Sequence, residues 1–311
     1  LACPPSQASF KSTEQALAAT LAIEGKKDIL LTMPVGAGKT LVALLAALVD
    51  SRAKAGFTIL MVPLRALETQ LLQLCENLNI KAYQWHSYKS TSFIDPFQGV
   101  LVVSPEQFTN RDFQSFLQGP AFAEKVKRLI VDEAHLCESW KSFRDCMTQI
   151  GRFRPTSTAT NLRHHVQLIA LTGTCPTFLR DRVVNHLNIA GPNLVVINKP
   201  TRNTTTKFVA ELYDSPTSFE SDGVFPWLDC VCKQVQTNIA SNVPNRALVY
   251  ATNRADAKAY SDWASKHYPA LNPHYFIGDL DSQAKSILYE NWKSRHVNIL
   301  FCTSAFGLGV D

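Results

Sequence analysis

Met33-Pro34-Val35-Gly36-Ala37-Gly38-Lys39-Thr40 sets two glycines, a lysine and a threonine in one short run. Glycines let backbone N–H groups converge on phosphate oxygens, the lysine reaches β- and γ-phosphates, and the hydroxyl holds magnesium. Gly36, Ala37, Gly38, Lys39 and Thr40 are therefore the candidate nucleotide-binding residues, although Met33 stands where the general pattern has glycine. Further along, Arg128-Leu129-Ile130-Val131-Asp132-Glu133-Ala134-His135 is an apolar run that ends in two carboxylates and a histidine. Asp132 is placed to bind magnesium through water, and Glu133 to orient or deprotonate an attacking water. The chemistry implied is binding of Mg2+ with a nucleoside triphosphate, and cleavage of its terminal phosphate.

Such residues need elements to hold them at one edge. Short apolar runs at 28–33, 58–62, 100–103, 128–131, 166–171, 207–212, 246–250 and 297–302 predict strands. Most are continuous rather than alternating, which is how strands covered on both faces read. Segments of helical period at 12–23, 39–53, 66–78, 177–187, 255–266 and 282–292 lie between them. Alternating strand and helix predicts parallel sheets with helices on both faces, where ligands gather at the carboxyl ends of the strands. Ser12 with Gln15 three residues on predicts a capping box at the first helix. The pattern breaks between Gly191 and Thr206, where Pro192, Pro200 and a polar run intervene. A linker is expected at 196–206, between a first domain at 1–195 and a second at 207–311. A polar loop is expected at 214–223.

The chain has 311 residues, room for two domains, and 46% are hydrophobic, so each half can bury a core. Lys plus Arg number 31 and Asp plus Glu 26, a net charge of +5 that permits a polyanionic partner without demanding one. The longest apolar run, 41–49, is too short for a membrane span, and no signal peptide is visible. The first residue is Leu rather than Met, as expected of a chain without its natural start. The eight cysteines are scattered with no C-x-x-C pair, and Cys230 and Cys232 would face different sides of a helix. They read as free thiols, mostly buried, in a reducing compartment, and no zinc site is expected.

In this order the motifs resemble the motor core of superfamily 2 helicases. Phe10-Lys11-Ser12 with Gln15 resembles the family's adenine-reading segment. Val62-Pro63-Leu64-Arg65-Ala66-Leu67 and Val103-Ser104-Pro105-Glu106 resemble its two strand-end segments that touch the nucleic-acid backbone. Thr172-Gly173-Thr174 resembles its coupling motif. Ala305-Phe306-Gly307-Leu308-Gly309-Val310-Asp311 is similar to a run typical of RecQ-type DNA helicases. Trp140 with Phe143-Arg144 resembles the aromatic-rich loop that in RecQ enzymes couples DNA binding to ATP hydrolysis. Two residues separate Trp140 from Phe143 where three are usual, and Glu138-Ser139 stands where Ser-Gln is usual.

The resemblance implies an α/β fold of two RecA-like parallel-sheet lobes, a P-loop NTPase with the nucleotide between the lobes. It implies a RecQ-like DNA helicase that uses ATP and Mg2+, moves 3′-to-5′ on single-stranded DNA and unwinds duplex junctions, in the nucleus, without a membrane. Lys39, Asp132, Glu133 and His135 would carry the chemistry, Thr40 and Asp132 the metal, and Gln15 the adenine. Arg65, Ser104, Trp140, Phe143, Arg144, Thr172, Thr174, Gly307, Gly309 and Asp311 would contact nucleic acid or couple it to the nucleotide. Arg65 reads equally as a solvated arginine at a helix start. Trp85, His86 and Tyr88 read as a surface cluster or as a base-stacking one, and no metal role is expected for His164-His165.

The family's last motif, which bears arginine fingers, is expected after Asp311, so the second lobe is expected to be incomplete. An arginine finger contributes roughly 10³–10⁵ in rate, about 4–7 kcal/mol, so binding of ATP with weak hydrolysis is expected of this chain. Two alternatives stand beside this reading: a non-catalytic nucleotide- or nucleic-acid-binding remnant, and an RNA helicase of the same superfamily.

Overall fold

A computed structural model of the chain describes residues 9–63, 65–85, 98–119, 125–139, 146–153, 166–199, 226–241, 245–303 and 306. The chain divides into two units, Leu1–Asn203 and Thr204–Val310.

In the first unit α1 (Thr13–Glu24) leads into β1 (Asp28–Thr32), α2 (Lys39–Ala53), β2 (Phe57–Met61), α3 (Arg65–Asn77), β3 (Ala82–Gln84) and β4 (Val100–Val103). Then come α4 (Arg111–Gln118), β5 (Val126–Val131), α5 (Leu136–Ser139), α6 (Cys146–Gln149), β6 (Gln167–Thr172), α7 (Thr177–His186) and β7 (Leu194–Asn198). The seven strands form one sheet in the order β3-β4-β2-β5-β6-β1-β7, parallel throughout. Every residue of β1, β2, β4 and β6 is buried, as their continuous apolar runs predict. Ile29, Leu31, Leu60, Val102, Ile130 and Ile169 pack beneath helices α1 and α2.

Helix α1 is fastened at both ends. Ser12 Oγ accepts from Gln15 N (3.2 Å), which satisfies one donor of the first turn. The reciprocal half of the expected capping box is not formed: Gln15 Oε1 accepts from Lys11 N (2.7 Å) instead. At the other end Gly25, with φ 70°, returns its N–H to Leu21 O. Arg128, an arginine inside a buried strand, donates from Nη2 (2.7 Å) and Nε (3.2 Å) to Ala22 O, and Nε also reaches Gln167 Oε1 at 3.1 Å. Gln167 Nε2 in turn donates to Leu21 O (3.0 Å) and Lys27 O (2.7 Å). The Arg128 guanidinium also pairs with Asp50 of α2. Orphan carbonyls of a helix end are thus met by two buried side chains from β5 and β6, and burial lowers the Arg128 pKa to about 10.

Residues 196–198, assigned to the linker from sequence, belong to β7, which pairs with β1 from Asp28↔Leu194 to Thr32↔Asn198. The loop-forming residues on either side hide this strand, and as an edge strand it shows only partial burial. Trp85 is not a surface residue: it is buried, with ring centroids 5.0 Å from Phe113 and 4.8 Å from Phe116.

The second unit contains α8 (Pro226–Ala240), β8 (Ala247–Tyr250), α9 (Arg254–His267), β9 (His274–Phe276), α10 (Ser282–Lys293) and β10 (Ile299–Cys302). Its three described strands form a parallel sheet in the order β8-β10-β9. One face packs Ile299 and Phe301 against Leu228, Cys232, Trp263 and Ala264, and the other packs Leu300 and Cys302 against Leu288 and Trp292. Cys232 is buried and Cys230 exposed, as two positions apart on a helix should be. Among the described residues, no helix is long and apolar enough to cross a membrane. The strand expected at 207–212, the loop at 214–223, His86, Tyr88 and His164-His165 lie outside the described residues.

Candidate nucleotide site

Strand β1 ends at Thr32, and the chain turns through residues 33–38 before entering α2. Met33, at the position where glycine was expected, is fully buried in the core. The conformational demand falls instead on Gly36 and Gly38, at φ 73° and 91°. A Cβ on Gly38 would lie 2.2 Å from Gln15 Nε2. Gln15 is itself buried, and its Nε2 donates to Gly38 O at 3.1 Å. Both ends of the Gln15 amide are therefore engaged, so the residue expected to read adenine braces the loop against α1. Lys11, absent from the residues expected in the site, donates from Nζ to Gly36 O (2.9 Å). Its signal was its place in the Phe10-Lys11-Ser12 run that resembles the adenine-reading segment.

Lys39 Nζ donates to Met33 O (3.0 Å) and Pro34 O (3.3 Å), closing the loop over its own carbonyls. Thr40 follows in the first turn of α2, so backbone N–H groups, an ammonium and a hydroxyl share one helix N-terminus.

Strand β5 runs to Val131, and Asp132 and Glu133 follow at its carboxyl end. Asp132 Oδ1 accepts from Glu133 N at 2.9 Å. Glu133 holds φ 47°, a left-handed conformation uncommon for a residue with a side chain. Burial raises the Asp132 pKa to about 6, reinforced by the neighbouring Glu133 carboxylate and opposed by the charges of Lys39 and His135. For Glu133 burial also pushes upward, but the hydrogen bond and charge of His135, with Lys39 and Gly173 N–H, outweigh it and hold this carboxyl below its usual value. A hypothetical Cβ on Gly173 would sit 3.9 Å from Lys39 Nζ. The phosphate loop, the acidic strand end and the segment after β6 therefore converge at one edge of one sheet.

His135 Nδ1 is 2.9 Å from Thr172 Oγ1 and 3.4 Å from Glu133 Oε2. Thr172, fully buried, donates from Oγ1 to Thr174 O (2.8 Å) and accepts from Thr174 N (3.2 Å). Arg65 opens α3, and Ser104 follows β4 at the same carboxyl edge. Trp140, Phe143, Arg144, Gly307, Gly309 and Asp311 lie outside the described residues.

The donor set fits a magnesium-bound triphosphate. Burial, reinforced by the neighbouring Glu133 carboxylate, raises the Asp132 pKa to about 6, an electrostatic demand that a divalent cation relieves. A lysine and a helix N-terminus face them across the same edge.

A family model described as DEAD/DEAH box helicase matches residues 12–181. The chain belongs to this family. Among DEAD/DEAH box helicases it is RecQ-like. It is 23% identical over 297 residues to the ATP-dependent DNA helicase RecQ of Synechocystis, covering 92% of this chain and 57% of that protein. It is 27% identical over 317 residues to the ATP-dependent DNA helicase Q5 of Mus musculus, covering 97% of this chain and 30% of that one. It thus spans little more than half the length of the first relative and under a third of the second. The crystal structure of the DUF1998 helicase MrfA bound to DNA superposes with a TM-score of 0.68 at 13% identity, covering 96% of this chain and 43% of that chain. That likeness establishes the fold alone, a RecA-like α/β helicase architecture.

Proposed function

We propose that this chain is the motor region of an ATP-dependent DNA helicase of RecQ type, translocating 3′-to-5′ on single strands and unwinding duplex. The observation that carries the proposal is the convergence of Lys39, Asp132 and Glu133, with the Lys39 charge acting on both carboxyls. Gly36, Ala37 and Gly38 cradle phosphate through backbone N–H groups, and Lys39 exchanges its loop carbonyls for phosphate oxygens. Magnesium, held through Thr40 and Asp132, supplies charge neutralisation of the triphosphate when bound. Glu133, kept ionised by His135, orients and deprotonates the attacking water. Gln15 reads the adenine after releasing Gly38 O. His135, Thr172 and Thr174 relay nucleotide state toward the strand-contacting segments that begin at Arg65 and Ser104.

The relatives' names support DNA as the track; polarity follows from the RecQ resemblance. Backbone contact predicts salt-sensitive binding with little sequence preference. The test is steady-state ATP hydrolysis with oligothymidylate, with oligouridylate and with neither, followed by strand displacement on duplexes carrying a 3′ or a 5′ tail. Weak hydrolysis that the DNA oligomer raises, with any displacement confined to 3′ tails, is expected of this chain. Stimulation by RNA alone makes the chain an RNA helicase, and nucleotide binding without turnover under any condition makes it a remnant. Relatives from a cyanobacterium and from mouse match alike. Nuclear location is thus a separate proposal, tested by imaging the tagged chain in its own cells.

A further inference from the structure

Glu138 departs from the residue usual in RecQ enzymes, and a second junction between two site segments is built around it. Its side chain is 7% exposed. His186 Nε2 lies 2.5 Å from its Oε2, and Arg182 Nη1 lies 3.3 Å from its Oε1. Arg182 and His186 stand one turn apart on α7, so the helix presents one donor to each carboxylate oxygen. A cavity of about 350 Å³ beside them is lined, among the described residues, by Glu138, Arg182, Asn185 and His186. All four are polar residues, and hydrogen bonds and charge link the two helices here.

The first junction between the same segments is His135 to Thr172, at 2.9 Å. One short turn separates the two: Glu138 N and Ser139 N both donate to His135 O, at 3.3 and 3.2 Å. Helix α7 begins three residues after Thr174. The acidic segment and the Thr172 segment with its helix are therefore stitched twice, with little slack between the stitches. The buried carboxylate is held by two donors, one on each oxygen, and its own burial keeps it from water while they are in place. Beyond Ser139 the chain continues into Trp140, Phe143 and Arg144, the residues that resemble the RecQ coupling loop.

We propose that Glu138 is a positioning residue that locks α5 to α7, so that a change at Glu133 and His135 is passed to the Thr172–Thr174 segment and its helix instead of dissipating in a loose turn. This rests on the helicase reading above, because it requires nucleotide and nucleic-acid binding to be linked. Removing the lock should abolish the linkage while sparing each binding event.

The test measures affinity of the whole chain for fluorescein-labelled oligothymidylate with and without Mg-AMPPNP, and for Mg-AMPPNP with and without the oligomer. By thermodynamic reciprocity both pairs give one coupling factor, of order 5–150 in linked systems. In Glu138→Ala this factor falls to within about twofold of unity, while each ligand alone binds within about threefold of the wild type. Glu138→Gln, which keeps an acceptor for His186, retains an intermediate factor. The double change Arg182→Ala with His186→Ala reproduces the loss from the other helix, and adding Glu138→Ala to it changes nothing further. Those two side chains are 64% and 25% exposed, so this variant carries the test if Glu138→Ala does not fold. A folded Glu138→Ala or α7 double variant with the wild-type factor overturns the inference. A wild-type chain that binds both ligands independently overturns it too and leaves the function standing, whereas one that binds neither overturns both.

Discussion

The imidazole of His135 donates to Thr172. The Thr172 hydroxyl has one proton, and it points to Thr174 O at 2.8 Å. The 2.9 Å contact with His135 Nδ1 must then be filled by a proton on the ring, which also faces Glu133 Oε2 at 3.4 Å. One hydroxyl thereby fixes a tautomer, and the tautomer helps keep Glu133 ionised.

Replacing Thr172 by Val preserves shape and removes the acceptor. Thr174 N–H and His135 Nδ1–H then lose their oxygen; Thr174 is exposed and His135 half-buried, so water replaces part of the loss and the cost is about 1 kcal/mol. Urea unfolding should show that loss for Thr172→Val and almost none for Thr172→Ser, which keeps the hydroxyl. Equal losses in the two variants would mean that the methyl packing matters and the hydrogen bonds do not.

Asp132 gives the molecule a pH signature. A carboxyl whose pKa is raised on folding favours the fold when protonated, so its contribution is fully present below about pH 4 and lost as pH rises through about 6. With a shift of roughly two units, ionisation opposes folding by about 3 kcal/mol above pH 7. In the absence of metal and nucleotide, Asp132→Asn should therefore be more stable than the parent at pH 8, with the gain shrinking by about half at pH 5. Thermal unfolding across that range checks it, and a pH-independent difference would contradict the assignment.

Lys39 braces the loop through two of its carbonyls and is proposed to exchange them for phosphate. Lys39→Ala should weaken binding of a fluorescent Mg-ATP analogue by at least about 30-fold, near 2 kcal/mol. Unit 1 should remain folded, because only two loop carbonyls lose a partner that water can replace. Calorimetric titration with unchanged affinity would remove Lys39 from the site.

Arg128 makes a stability prediction far from the phosphate loop. Arg128→Met leaves Asp50, Ala22 O and Gln167 Oε1 short of a donor in a buried setting. Breaking a buried pair from one side costs about 3–5 kcal/mol. Chemical denaturation of Arg128→Met should show a loss in that range, and Arg128→Met combined with Asp50→Leu should recover part of it.

Much of this was written in local sequence and some of it was not. Strands β1, β2, β4 and β6 announce themselves because both faces are covered, which leaves no polar alternation to confuse the pattern. Strand β7 hides: Val196 is 44% exposed, and the run sits between Pro192 and Pro200. Strands β3 and β9, three residues each, are too short to show a period. The phosphate loop and the acidic strand end were legible because their spacing is local. The Glu138 junction was not, since its partners lie on α7, and no local period reports a contact made by the fold. Arg128 did leave a mark, a lone cation in an apolar strand, but its acceptors on α1 cannot be read from the strand itself.

The pairing of β1 has a consequence for how this protein is made. Its described neighbours in the sheet are β6 and β7, at Gln167–Thr172 and Leu194–Asn198. On the ribosome, the strand that leads into the phosphate loop emerges well before β6 and β7, and its ladder closes only after β7 has been translated. Until then the nascent chain carries a bare apolar ribbon next to its glycine-rich turn, a natural client for chaperones that shield exposed hydrophobic segments.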